Sequence, residues 1–109
     1  MLIASDIRLV VMTCPDLKIS RMLAKLALEE QLVACINFIH SVDSMYLWKD
    51  EVMEEQEYLL LAKTKKESLD KLESLWISNH PYDVPEFIVL DVAKVNQQYD
   101  RWVERCVLG

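Results

Sequence analysis

Glycine is nearly missing: the chain of 109 residues holds one, Gly109. That excludes a P-loop and a glycine-rich dinucleotide fingerprint, because both need several glycines to bring the backbone against phosphate. An excess of basic residues is missing too. Lys and Arg number 12 against 18 Asp and Glu, and the formal net charge of −6 has the wrong sign for nucleic acid. No apolar run is long enough to cross a membrane. The short start Met1-Leu2-Ile3-Ala4 is broken by Ser5, Asp6 and Arg8 and has no basic leader, so no secretory signal is expected. The three cysteines, Cys14, Cys35 and Cys106, are odd in number and far apart, with no CxxC pair. They read as reduced thiols in a cytoplasmic protein.

What is present is apolar sequence in regular patterns. Hydrophobic residues make up 52% of the chain, enough for one domain over 1–109 with one core. The organising stretch is Val33 to Thr64, which reads as one long β-hairpin. Its first arm is rich in β-branched and aromatic residues, its second runs from Val52 to Ala62, and Lys49-Asp50 is the expected turn. Each arm is about twice the ordinary strand length of five or six residues. A strand that outruns its sheet leaves backbone groups unpaired and invites another chain. Glu54, Glu55 and Glu57 crowd the start of the second arm, whereas Tyr58-Leu59-Leu60-Leu61-Ala62 has no polar face. One end is therefore expected to be solvated and the other buried on both sides, as in an oligomer built through hairpin edges.

Around this hairpin, Ile7 to Thr13 predicts a buried first strand. Pro15 and Asp16 suit the first turn of a helix running to about Gln31, with Ile19, Met22, Leu23, Leu26 and Ala27 on one face. Thr64-Lys65-Lys66-Glu67 has the form of a capping box for a second helix carrying Leu69, Leu72, Leu75 and Trp76 inward. Asn79 would end that helix in a left-handed conformation ahead of Pro81. His80 to Glu86 is a loop stiffened by two prolines. Phe87 to Val92 predicts an internal strand, and Tyr99, Trp102, Val103 and Cys106 mark a third helix over Asn96–Val107. The order β-α-β-β-α-β-α predicts an α+β protein: a ferredoxin-like βαββαβ sandwich with a long central hairpin and a C-terminal helix.

Among chemically capable residues, His80 stands at a helix exit beside a rigid loop, where an imidazole can serve as a metal ligand. The plainer role there is capping the last helical carbonyls. Cys14 precedes a helix start, where a dipole can activate a thiol. Burial as a small hydrophobe is the plainer role for Cys14 and for Cys35. Tyr46, Trp48 and Tyr82 can line a cleft or an interface. No local signature of a catalytic residue is present, so no enzyme is expected.

Several segments together resemble the CutA divalent-cation tolerance family. They are Val11-Met12-Thr13-Cys14-Pro15-Asp16, Val33-Ala34-Cys35-Ile36-Asn37, Ser44-Met45-Tyr46-Leu47-Trp48-Lys49, Leu61-Ala62-Lys63-Thr64, His80-Pro81-Tyr82-Asp83-Val84-Pro85-Glu86 and Tyr99-x-x-Trp102. The resemblance implies a homotrimer of ferredoxin-like subunits, similar in architecture to the PII signalling proteins. It also implies a link to copper and other divalent cations, with no required cofactor and no assigned reaction. By the same resemblance, His80 and Cys35 are candidate metal ligands. Asn37, Tyr46, Trp48, Lys63, Tyr82 and Glu86 are expected to line a cleft between subunits. A thiol and an imidazole would suit copper or zinc. Met12 and Asn79 stand where some members carry a cysteine and a second histidine, and Asp50 where the family usually has a glycine. A PII-like sensor binding a small ligand in that cleft is the alternative, and an enzyme using it the third.

Overall fold

The computed structural model describes residues 2–3 and 5–108. The apolar start and Gly109 therefore lie partly outside the described residues. The elements in order are β1 (Leu2–Ile3), β2 (Ile7–Cys14), α1 (Leu17–Glu29), β3 (Cys35–Trp48), β4 (Glu51–Lys65), α2 (Leu69–Asn79), β5 (Ile88–Asp91), β6 (Lys94–Val95) and α3 (Gln97–Cys106). Four strands form one antiparallel sheet in the order β3-β4-β2-β5, and β1 pairs with β6 separately. With a helix after the first sheet strand and another after the hairpin, this is the expected α+β, ferredoxin-like arrangement.

Alternation along β2 sorts the sheet into two faces. Val10, Met12 and Cys14 point to one side and are fully buried with Leu23 and Ala27 of α1, Leu60 and Ala62 of β4, and Leu72 and Trp76 of α2. The indole of Trp76 donates to the Leu23 carbonyl at 2.9 Å, so the largest core side chain also ties the two helices together. Ile7 points to the other side and packs with Val103 and Val107 at the C-terminal end. Farther along that second face, Leu9, Val11, Leu59 and Leu61 are only half-buried, and Ile39, Ile88 and Leu90 are 39%, 47% and 45% exposed. Helices α1 and α2 cover the first face; the second is left largely open.

That open face explains two departures from expectation. The run Tyr58–Ala62 is not buried on both sides: Leu60 and Ala62 are buried, while Leu59 and Leu61 are half-covered. The last strand is not internal either. β5 pairs only with β2, and all four of its residues are exposed. Its apolar composition serves a face that its own chain does not cover.

Helix ends depart from the sequence reading in instructive ways. Pro15 lies before α1, not in its first turn; Asp16 is the N-cap and accepts from the Ile19 N–H at 2.8 Å. Thr64 forms no capping box, because it is still in β4, and its hydroxyl donates to the buried Leu32 carbonyl. A single 3-10 turn, Lys66–Ser68, then leads into α2. Asn79 does not turn left-handed. It is the last helical residue, its amide donates to the Leu75 carbonyl, and the chain leaves in extended form at His80.

The hairpin is as long as expected, with arms of 14 and 15 residues, and gives the molecule its 44 Å long axis. β2 reaches only as far as Tyr58, so Glu51–Glu57 pair with β3 alone. The change from sheet to two-stranded ribbon coincides with a bulge. His40 and Ser41 together face Tyr58, and Ser41 adopts φ 62°. The turn Lys49-Asp50 is as expected, with φ 50° and 66°. Gln31 closes α1 at φ 56°, where Leu32 N–H returns to the Ala27 carbonyl. Four left-handed positions that would suit glycine are thus filled without it.

Candidate functional site

Within one chain the residues expected from sequence at a single cleft fall into two separate groups. Cys35, Asn37 and Lys63 form one group near the hairpin root. Cys35 and Lys63 are directly opposite on paired strands, and the Lys63 ammonium donates to the Asn37 side-chain oxygen and lies 3.9 Å from the Cys35 sulfur. Tyr99 of α3 is close enough to feel Cys35, and burial with that thiol's charge pushes its phenol pKa up.

The second group lies where the ribbon leaves the sheet. A groove of ≈ 800 Å³ runs between the distal hairpin and the loop after α2. Tyr46, Trp48, Tyr82 and Glu86, four of the expected cleft residues, line it together with Glu55, Glu57 and Asp83. On β3 the lining runs without a break from Ser44 to Trp48, and on β4 it takes Met53, Glu55 and Glu57; Ser44 faces Glu55 and Tyr46 faces Met53 across the ribbon. Glu57 is only 6% exposed, and one of its oxygens accepts the Tyr82 hydroxyl at 2.7 Å. Tyr46 hydrogen-bonds to Glu55, which raises its phenol pKa. The Tyr82 phenol is pushed up by burial, then by its bond to Glu57 and that residue's charge. Burial, and then the charge of Glu57, also raises Glu86 above the usual carboxylate value. As a sequence pattern, Glu54, Glu55 and Glu57 read as a solvated run. Glu57 is the exception: it shares its phase on β4 with the exposed Glu55, and what buries it is the loop after α2, through Tyr82, a contact no local pattern announces.

His80 does not line this groove; it lies behind it, bonded to two of the lining residues, Thr13 and Tyr82. Its Nδ1 accepts from the Tyr82 backbone N–H at 3.1 Å, so Nε2 carries the proton and donates to the Thr13 carbonyl at 2.9 Å. Its ring also lies 4.6 Å from that of Tyr82. The side chain therefore pins the proline loop to the end of β2, and only the backbone N–H, to Ile77, serves the helix end. For Nδ1 to bind copper it would have to give up the Tyr82 N–H, while the Nε2–H bond to the Thr13 carbonyl could stay. Cys35 is opposite Lys63, which is opposite Leu9, whereas His80 holds Thr13; four residues of β2 separate those anchors, about 13 Å. Within one chain, then, His80 and Cys35 do not fit a shared copper or zinc site. No three His, Cys, Asp or Glu side chains among the described residues converge to hold a metal ion. Cys14 is fully buried, and burial lifts its thiol pKa to about 11, the opposite of helix-dipole activation.

The topology, the overlong hairpin and the groove beside it define a ferredoxin-like α+β protein whose candidate site is built along an extended hairpin. The family model described as CutA1 divalent ion tolerance protein matches residues 8–106. The divalent-cation tolerance protein CutA of Thermus thermophilus is 40% identical over 86% of this chain and 91% of its own. The CutA protein of Mus musculus is 37% identical over 85% of this chain, which spans about half (52%) of the mouse protein. Among solved structures, that of the Thermus thermophilus divalent cation tolerance protein superposes with a TM-score of 0.90 at 38% identity, covering 93% of this chain and 98% of the other. CutA1 from a psychrotrophic Shewanella species, described as a stable protein, superposes at 0.92 with 28% identity, covering 96% and 98%. The chain belongs to the CutA family.

Proposed function

We propose that the protein serves divalent-cation tolerance as a homotrimer that binds a ligand and is not an enzyme. The observation that carries this reading is the open apolar face of the sheet. Leu90 and Ile88 on an edge strand, with Ile39 across the sheet, expose side chains that a monomer has no reason to keep together. A second copy laid on that face would bury them, and the number three follows the family resemblance. Three free thiols accord with a reducing compartment such as the cytoplasm.

Direct copper coordination by His80 with Cys35 is the reading this geometry favours least, since a shared site could form only between subunits and at the cost of a His80 hydrogen bond. The groove favours a PII-like role instead, in which a small ligand binds beside the hairpin. Native mass spectrometry with graded Cu(I), Cu(II) and Zn(II), on wild type and His80→Ala, tests both parts. The expected result is three chains per particle, with metal adducts that His80→Ala leaves unchanged. A monomer across a wide dilution range would overturn the assembly, and stoichiometric copper lost in the mutant would restore His80 as a ligand.

A further inference from the structure

We propose that Cys35 and Lys63 form a reversible redox site. A hydroperoxide oxidises the thiol, and the lysine amine then closes onto the sulfur as a sulfenamide cross-link between β3 and β4. Both side chains belong to adjacent strands of one chain, so no group of a second copy is needed to complete the site. Neither lines the groove beside the distal hairpin.

The three thiols differ in their surroundings. Cys14 is fully buried between the sheet and the helices, and Cys106 packs against the apolar cluster of Ile7, Val103 and Val107. Cys35 is half-buried, and the Lys63 ammonium lies 3.9 Å from its sulfur. Reactive cysteines sit in partly exposed, electropositive surroundings, whereas buried structural ones are inert. Strand pairing fixes the encounter. Cys35 and Lys63 are partners across the ladder, and the Ala34 N–H donates to the Lys63 carbonyl at 2.8 Å. Side chains directly opposite start about 5 Å apart at Cβ. A lysine stem left alone would carry its ammonium past the thiol into solvent. Asn37, two residues along β3 on the same face, accepts from Lys63 and holds the ammonium beside the sulfur.

The chemistry closes on these groups. The Cys35 sulfur attacks one peroxide oxygen, the O–O bond breaks, and sulfenic acid and water form; sulfur is oxidised by the electron pair that reduces the peroxide. Sulfenic acids condense with thiols or with nitrogen. Cys14 points to the opposite face of the sheet and does not compete as a resolving thiol. The nitrogen in place is Lys63 Nζ. Once the ammonium has released a proton to solvent, its lone pair forms the S–N bond. The S–O bond breaks, and the hydroxyl leaves as water with a proton from the amine. Thiol, amine and peroxide thus give one sulfenamide and two waters. The register already holds the strands, so only side-chain torsions move. An external thiol reverses the link: it attacks the sulfur to give a mixed disulfide and free amine, and a second thiol restores Cys35. The link spares Cys35 the irreversible step to sulfinic acid.

The test uses hydrogen peroxide on the full chain in its native assembly, followed by denaturation, alkylation of the remaining thiols and peptide mass spectrometry. The expected product joins the Cys35 and Lys63 peptides and is lighter than their sum by two hydrogen atoms. Tryptic cleavage after Lys63 is lost with it, and dithiothreitol restores both peptides. Lys63→Arg keeps the positive charge but removes the amine; the link should vanish, and Cys35 should go on to sulfinic acid that dithiothreitol does not reverse. Lys71→Arg, exposed on α2, should leave the yield unchanged. Sulfinic acid at Cys35 in the wild type, with no link, would overturn the proposal. So would a product lighter by two hydrogens that persists in Lys63→Arg, since Cys35 would then have closed on a backbone nitrogen. A Cys35–Cys106 disulfide would replace the lysine with a resolving thiol. If peroxide modifies Cys35 in the denatured chain and never in the native assembly, the thiol is covered there and the proposal fails.

Discussion

Near its root the hairpin lies beneath two helices, and Leu60 and Ala62 are fully buried there. Beyond the bulge at His40 and Ser41 the same two strands run on with unbroken pairing, yet Met45, Leu47 and Val52 are 68%, 73% and 68% exposed. Strand propensity is as good in the outer half as in the inner, so propensity does not decide which half is anchored. Tertiary support does. The inner half is stitched to β2, α1 and α2, and the outer half only to itself. A lone two-stranded ribbon is marginal in water. Its persistence over seven residues per arm therefore points to work done outside the chain's own core, either toward a ligand in the groove or toward a second copy.

The largest effect that tests this contrast is truncation on either side of the bulge. Leu60→Ala removes a fully buried side chain from the main core, and about 3 kcal/mol of stability should go with it in denaturant titration. Leu47→Ala should cost less than about 0.5 kcal/mol, the ordinary result at an exposed position. If Leu47→Ala proves as damaging as Leu60→Ala, and its cost grows on dilution, the ribbon is buried against another subunit and the contrast dissolves in the assembly. Thr64→Val is next. It keeps shape at the inner end but strips the buried Leu32 carbonyl of its donor, an expected loss of about 1–2 kcal/mol.

Titration separates the regions more gently. Cys14, in the core, has its thiol pKa raised from 9.0 to about 11, chiefly by burial. A raised folded value means the unfolded chain loses its proton first. Stability is whole below pH 9 and falls as pH climbs toward about 11. Cys14→Ala should flatten that alkaline limb. Glu86, at the groove, is raised from 4.5 by burial and by Glu57. Its contribution is likewise full below the unfolded pKa and lost as pH rises through the folded one, so the melting temperature should drop over the weakly acidic range. Glu86→Gln should remove that slope while leaving the alkaline limb alone. An unchanged acid slope in the mutant would show that Glu86 is not the crowded acid.

Element type and order were legible because each pattern has a local cause. The amphipathic spacing of α1, the alternation of β2 and the polar break at Lys49-Asp50 all act within a few residues. What was not legible depends on contacts across the chain. Thr64 carries a capping signature, but its hydroxyl is claimed by a carbonyl 32 residues away, and no window of sequence contains that competitor. β5 looks internal because both its faces are apolar, although the chain has no strand to lay beside it among the described residues. The site divided along the same line. The family resemblance named Tyr46, Trp48, Tyr82 and Glu86 and the groove gathers them, whereas it could not reveal that both His80 nitrogens are spent on backbone groups.

The smallest expected effect lies at the hairpin tip. Lys49 and Asp50 both hold positive φ, a conformation that disfavours residues with a Cβ. Asp50→Gly removes that strain at one position and should favour the closed turn by a few tenths to about 1 kcal/mol. Glycine also raises the entropy of the unfolded chain, so the net gain in global stability is expected near zero. The gain should show locally, because the ribbon can open without unfolding the core. Amide hydrogen exchange is the measurement: protection should rise from Val42 to Glu57 and stay constant in Leu59 to Lys65. Equal rises in both stretches would mean that the ribbon and the core open together. The bulge would then mark a change of direction in the strand and no boundary in stability.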